Sequence, residues 1–214
     1  MPLTRLSIGP RPPHEATVVI EIPAGGEPVK YELDKSTGVL TVDRILGTAM
    51  RYPGNYGFIP QTLGEDGDPL DVLIVSEIPL LPGSAITCRP IGVLRMSDEA
   101  GGDEKILAVP AHRVSRLYDH IVSVEDLGEH RLKLIAHFFE QYKSLEAGKW
   151  VRIDGWGSRE EAHQLIVRGL AAAASAEQPR VMQPAGLHGA PDRGSSVRDL
   201  QAALNQKLEL RKAG

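Results

Sequence analysis

Cysteine is nearly absent. Cys88 is the only one in 214 residues, so no disulfide can form within the chain and a stapled secreted scaffold is excluded. It sits in SAITCRPIGVL, an apolar, strand-like run where a buried, inert thiol is expected. Aromatic residues make up only 5%, which leaves aliphatic side chains to build the core. No apolar run approaches the roughly 20 residues of a membrane span, and MPLTRLSIGPRPPHE lacks an apolar stretch of signal-peptide length. No membrane partner is expected, and a reducing cytoplasm is the expected compartment. Positive charge is also scarce: 24 Lys and Arg face 28 Asp and Glu, and the net charge of -4 opposes a surface built for nucleic-acid phosphates. There is no P-loop, because Gly148 and Lys149 are followed by Trp150 instead of Ser or Thr, and there is no dinucleotide fingerprint. His112, His120 and His137 are scattered without zinc spacing and read as surface or helix residues. No internal repeat is present.

What the chain does have is 42% hydrophobic residues and enough length for one domain with an appendage. TVVIEIP and VKYEL read as strands, and in the second the period of two puts Lys30 and Glu32 on one face. VLTVD, PLDVLIV, SAITCRPIGVLRM, KILAVP and WVRIDGW are further strands between turns rich in Gly, Pro and Asp. Helical spacing takes over in EHRLKLIAHFFEQYKSL, where Leu132, Ile135, Phe138 or Phe139, Tyr142 and Leu145 recur and Gly148 follows as a stop. A second helix is expected from Ser158, with Glu161 reaching back as in a capping box and Ala162, Leu165, Ile166 and Leu170 as its apolar stripe. Short strands followed by two helices imply a mainly β fold, a small closed barrel with helices on its flank. The body is expected to span residues 1–170, followed by a Pro- and Gly-rich linker over 171–195 and an amphipathic helix over 196–214.

EDGDPLDVL places Asp66, Asp68 and Asp71 within six residues. A solvated acidic turn is one reading, but Asp71 lies just inside a strand that reads as buried, where an unpaired carboxylate is costly and a cation is needed. An EF-hand fails, since Leu70 and Asp71 stand where that loop needs a ligand and a glycine. MSDEAGGDEK adds Asp98, Glu99, Asp103 and Glu104 around a glycine turn, which alone would suit an exposed hairpin. Two such groups together call for several hard cations, and oxygen-only ligands favour magnesium or manganese. Lys30, Arg44, Tyr56, Tyr142 and Lys143 each have an ordinary structural reading. Beside an acidic metal cluster they suit a polyanionic substrate delivered with metals.

EIPAGGEPVKYELDK, VDRILGTAMRYPGNYGFIPQTLGEDGDPLDVLI, RPIGVLRMSDEAGGDEKILAVP and HFFEQYKSLEAGKWV resemble, in order and spacing, the successive blocks of the bacterial family I soluble inorganic pyrophosphatases, over about residues 17–170. The resemblance implies an OB-like five-stranded barrel, assembly as a homohexamer, and hydrolysis of pyrophosphate without a covalent intermediate. It implies that Asp66, Asp71 and Asp103 hold one activating metal, with Asp71 shared by a second, and that Asp98 and Asp103 hold the metal arriving with substrate. Glu21 and Glu32 match positions that hold a further metal through water. Lys30, Arg44, Lys105, Tyr142 and Lys143 match groups that grip the two phosphates, and Tyr52 and Tyr56 match site tyrosines, with Tyr56 near Asp68. Asp68 is the group placed to accept or orient the proton of the attacking water. The alternative is a non-catalytic OB-type binding module, which the net negative charge and the carboxylates oppose.

Overall fold

The computed structural model describes residues 6–177. Nine strands and two α-helices follow in chain order: β1 (Ala16–Ile22), β2 (Val29–Leu33), β3 (Leu40–Ile45), β4 (Asn55–Phe58), β5 (Asp71–Ile74), β6 (Ala85–Asp98), β7 (Gly101–Gly102), β8 (Lys105–Pro110), α1 (Glu129–Gln141), β9 (Val151–Gly157) and α2 (Arg159–Glu177). Strands β1, β4, β5, β8 and β6 pair in that order, and β6 pairs back with β1, so five strands form a closed ring. Its pairings are antiparallel except for β5 with β8, which run parallel. Strands β2 and β3 form a separate hairpin, and β7 and β9 extend β6.

Apolar residues cover both faces of the ring strands, which is why β5 and β8 read as continuous apolar runs. Val72, Ile74, Ile106 and Ala108 pack with Ala162 and Ile166 of α2, whereas Leu73, Leu107 and Val109 pack with Ile135, Phe138 and Phe139 of α1. Cys88 is buried in the first of these clusters, and burial pushes its thiol well above the usual range, as expected for an inert group.

β4 is a strand that the pattern does not announce, since NYGF has no alternation and lies between turn residues. Gly57 makes it possible: a Cβ there would stand 1.8 Å from the carbonyl oxygen of Val19, so only glycine lets β4 approach β1. Asn55 anchors its start, accepting from the amides of Ala24 (2.9 Å) and Leu80 (2.7 Å) and donating to the carbonyl of Ile78 (2.9 Å). Two loops, the one after β1 and the one between β5 and β6, are thus tied to one buried side chain.

Both helices differ from expectation at their ends. α1 stops at Gln141, and the chain turns through Ser144 and Glu146, so Leu145 is 73% exposed and leaves the apolar stripe. That turn directs Tyr142 and Lys143 away from the helix surface and into a buried position. At α2 the Ser158 hydroxyl accepts from the amide of Glu161 (3.3 Å), but Glu161 does not complete a capping box. Its carboxylate pairs with Arg95, Oε1 to Nε at 2.7 Å, because a guanidinium offers a stronger partner than a backbone amide. α2 also continues seven residues past the expected end of the body at 170, through Ala171–Ala174 to Glu177; alanine is the best helix former. The remainder of the expected linker and the expected helix over 196–214 lie outside the described residues.

Candidate functional site

The acidic turn between β4 and β5 is built by its own backbone. The amide of Gly64 donates to the carbonyl of Asp68 (2.7 Å), the amide of Asp68 donates to Oδ1 of Asp66 (3.0 Å), and Gly67 takes φ +89°, which favours glycine. Asp71 then opens β5. Because β5 runs parallel to β8, the first residues of the two strands lie side by side, and Lys105 Nζ meets Asp71 Oδ2 at 2.5 Å. The same ammonium also pairs with Asp103. Lys105 is almost wholly enclosed, its side chain only 4% exposed. Burial opposes its charge, but Asp71 and Asp103 outweigh it and hold its pKa above the ordinary value. Burial raises the Asp103 carboxyl, with Lys105 pulling the other way.

The end of β6 supplies the next pair. Asp98 Oδ2 accepts from Lys143 Nζ at 2.6 Å and its Oδ1 from the amide of Ala100 at 2.8 Å. Lys143 also lies 3.5 Å from Glu99, which in turn pairs with Lys149 at 2.5 Å. That lysine holds the Glu99 carboxyl down to about 2.

The β2–β3 hairpin closes the opposite wall. Lys30 and Glu32 share a face, as the alternation requires, with Nζ and Oε1 2.5 Å apart and Asp43 3.4 Å from the same ammonium. Arg44, the cross-strand partner of Lys30, reaches Glu146 at 3.3 Å. Glu21 of β1 is buried and accepts from the amide of Leu33 at 2.8 Å. Tyr52, Tyr56 and Tyr142 stack with Phe138 and Phe139 beneath these charges, and Lys105 Nζ lies 5.9 Å from the Tyr56 ring centre. Burial raises all three phenols, Tyr142 to about 12, so they act as neutral O–H groups. Tyr56 thus packs against Tyr52 and Phe139 with Lys105 over its ring, and Asp68, on the same cleft, is held by Lys35 Nζ at 2.6 Å.

Thirteen of the fourteen expected site residues line one cleft of about 480 Å³: Asp66, Asp68 and Asp71 on one side, Asp98, Asp103 and Lys105 on the floor, Glu21, Lys30, Glu32 and Arg44 on the hairpin side, with Tyr56, Tyr142 and Lys143; Tyr52 does not line it and is buried in the core beneath. The reading from residue types missed Lys35, Glu99 and Lys149, which line it too. Glu99 stood within a noted acidic group, but Lys35 becomes a partner of Asp68 only through contact across 33 positions.

The charge pattern tests whether metals fit. Eight carboxylates face six Lys and Arg side chains in the cleft, so it is acidic before any polyanion enters. Among the described residues no three such groups already form a cage for an ion. Instead lysine ammoniums stand between carboxylates, as Lys105 does between Asp71 and Asp103, which marks positions where a cation is required. The all-oxygen donor set suits hard divalent ions.

Glu21 gives the cleft a pH signature of its own. Burial lifts its carboxyl from an ordinary 4.5 to about 7, against the opposing hydrogen bond from Leu33. A raised carboxyl pKa means that the folded state holds the proton more tightly, so this stabilisation is complete below 4.5 and is lost as pH rises through about 7. Metal-free Glu21→Gln protein is therefore expected to lose less stability than the parent over that interval in denaturant titrations. Parallel losses in the two proteins would reject the assignment.

The family model described as "Inorganic pyrophosphatase" matches residues 18–174. The chain is 56% identical over 170 residues to an inorganic pyrophosphatase from Bradyrhizobium diazoefficiens, covering 79% of this chain and 96% of that protein. It is 55% identical over 170 residues to one from Xanthomonas campestris, with the same coverage. Among solved structures, the crystal structure of inorganic pyrophosphatase from Thermus thermophilus superposes with a TM-score of 0.77 at 44% identity, covering 81% of this chain and 99% of that one. A crystal structure of an inorganic phosphatase from Anaplasma phagocytophilum gives 0.77 at 48% identity, covering 78% and 98%.

Proposed function

This chain belongs to the inorganic pyrophosphatase family and hydrolyses pyrophosphate to two orthophosphates, and we propose that it does so with magnesium held by the carboxylates of the cleft. The observation that carries the metal reading is the acidic excess of a cleft that must nevertheless accept a highly charged anion. Asp66, Asp71, Asp98 and Asp103 would hold the ions directly, and Glu21 and Glu32 would hold a further ion through water. Magnesium, when bound, supplies positive charge and lowers the pKa of coordinated water, and manganese is the substitute that the same oxygen ligands would accept.

The chain's own residues then have distinct tasks. Lys30, Arg44, Tyr142 and Lys143 bind the two phosphates from opposite walls, and Lys105 adds charge from the floor. Tyr142 donates a neutral O–H and adds no charge. Asp68 is an open carboxylate, with a side chain 71% exposed, and accepts the proton of the attacking water. Tyr56 supports Lys105 from below. Attack in line on one phosphorus makes the other phosphate the leaving group, so no side chain is phosphorylated.

Phosphate release from pyrophosphate, measured after chelation and again after magnesium is restored, tests this reading. Activity should vanish on chelation and return with the metal; hydrolysis that persists without divalent ions would reject it. We also propose a homohexamer in the cytoplasm. Exposed Ile45, Leu81 and Leu145 offer apolar contact surface for assembly, and among the described residues no helix is long and apolar enough to cross a membrane.

A further inference from the structure

Away from the catalytic cleft, a hollow of about 440 Å³ opens between the segment before β1, the middle of β6 and the first turns of α2. Arg11, His14, Arg89, Arg159, Glu160 and His163 line it, and none of them lines the cleft. Its volume falls within the roughly 300–1,000 Å³ usual for small-molecule sites, but its walls carry charge where such sites are mostly apolar. The occupant must therefore be polar.

Part of that charge is already committed. Arg11 pairs with buried Glu15 at 2.5 Å, and Arg89 donates through Nη2 to the carbonyls of Tyr118 (2.9 Å) and Ile121 (3.1 Å). The other donors are not used in this way. Arg159 has, among the described residues, only a 3.5 Å contact to adjacent Glu160. The rings of His14 and His163 meet edge to face with centroids 4.6 Å apart, and no hydrogen bond joins either imidazole to a described residue. Burial, His14 and Arg159 together lower the pKa of His163, with Glu160 opposing, so near neutral pH it is an uncharged ring with one N–H to give. Three arginines against the carboxylates of Glu15 and Glu160 leave the hollow net positive, and it lies beside the N-terminal end of α2, where the helix dipole adds to the same sign.

We propose that this hollow is a binding site for a phosphate-type anion, separate from the catalytic cleft, in which Arg159 makes the charged contact and His14 and His163 supply N–H donors. The bound group is a compact anion with several acceptor oxygens, because the donors come from three positions on two elements. Free orthophosphate and a phosphate monoester share that chemistry.

The test uses the full chain with 15N-labelled histidines, titrated without metal against inorganic phosphate at constant ionic strength and followed by NMR. The resonances of His14 and His163, assigned from His14→Gln and His163→Gln variants, should shift saturably, while those of His112, His120 and His137 stay in place. Arg159→Ala should weaken the effect about tenfold, the loss expected for one charge-assisted hydrogen bond, and leave pyrophosphate hydrolysis unchanged. Arg159→Lys should keep part of the binding, since it keeps the charge without the fork. A nucleoside monophosphate that saturates the same resonances at lower concentration would identify a phosphate ester as the ligand; one that does no better would identify free phosphate. Shifts that fail to saturate, that chloride reproduces, or that persist unchanged in Arg159→Ala would overturn the proposal.

Discussion

Asp71→Asn is expected to lower pyrophosphate hydrolysis by at least about a hundredfold while leaving the protein folded. Losing only an outer partner of a metal ligand costs roughly 10–100-fold, so losing a charge proposed to be shared by two ions should cost no less. The fold should survive for a local reason. Lys105 keeps Asp103 as a partner, and an asparagine of nearly the same size can still accept from its ammonium. Steady-state phosphate release and a magnesium titration by calorimetry check the two halves together. Activity near that of the parent would remove Asp71 from the metal site, and lost activity with unchanged metal binding would give it another role.

Lys105→Met should have the largest effect on stability, and that effect should depend on metal. The ammonium is enclosed between Asp71 and Asp103, and breaking a buried pair by removing one partner typically costs roughly 3–5 kcal/mol because a charge is left uncompensated. Here two carboxylates would be left facing each other. Denaturant unfolding of the metal-free variant should show a loss of that order, and added magnesium should restore much of it by taking the place of the ammonium. Hydrolysis should fall as well, since the floor of the cleft loses a phosphate contact. A variant as stable as the parent without metal would mean that the two carboxylates are relieved by water or by protonation, and that Lys105 is not needed to hold the cleft together.

The two predictions draw on different kinds of information. Asp71 stands out in the sequence because a carboxylate just inside the apolar run DVLIV has to be compensated. Lys105 carries no such mark, because nothing in KILAVP says that its first residue points toward a carboxylate 34 positions earlier. The parallel pairing of β5 with β8 decides that, by bringing the beginnings of both strands to the same rim.

The same division runs through the molecule. Features set by neighbours along the chain were legible by themselves: the shared face of Lys30 and Glu32, the acidic turn before β5, the apolar stripes of α1 and α2, and the buried thiol of Cys88. They follow from periodicity, turn chemistry and the cost of burial, which act over a few residues. Other features needed the closed ring. β4 exists because Gly57 lets two backbones meet, Glu161 leaves its expected cap for Arg95, and Lys35 finds Asp68 across the hairpin. α1 ends at Gln141 so that the following turn can bury Tyr142 and Lys143 in the cleft. Each of these is a competition between a local preference and a partner distant in sequence, and only the folded chain brings the competing partner within reach.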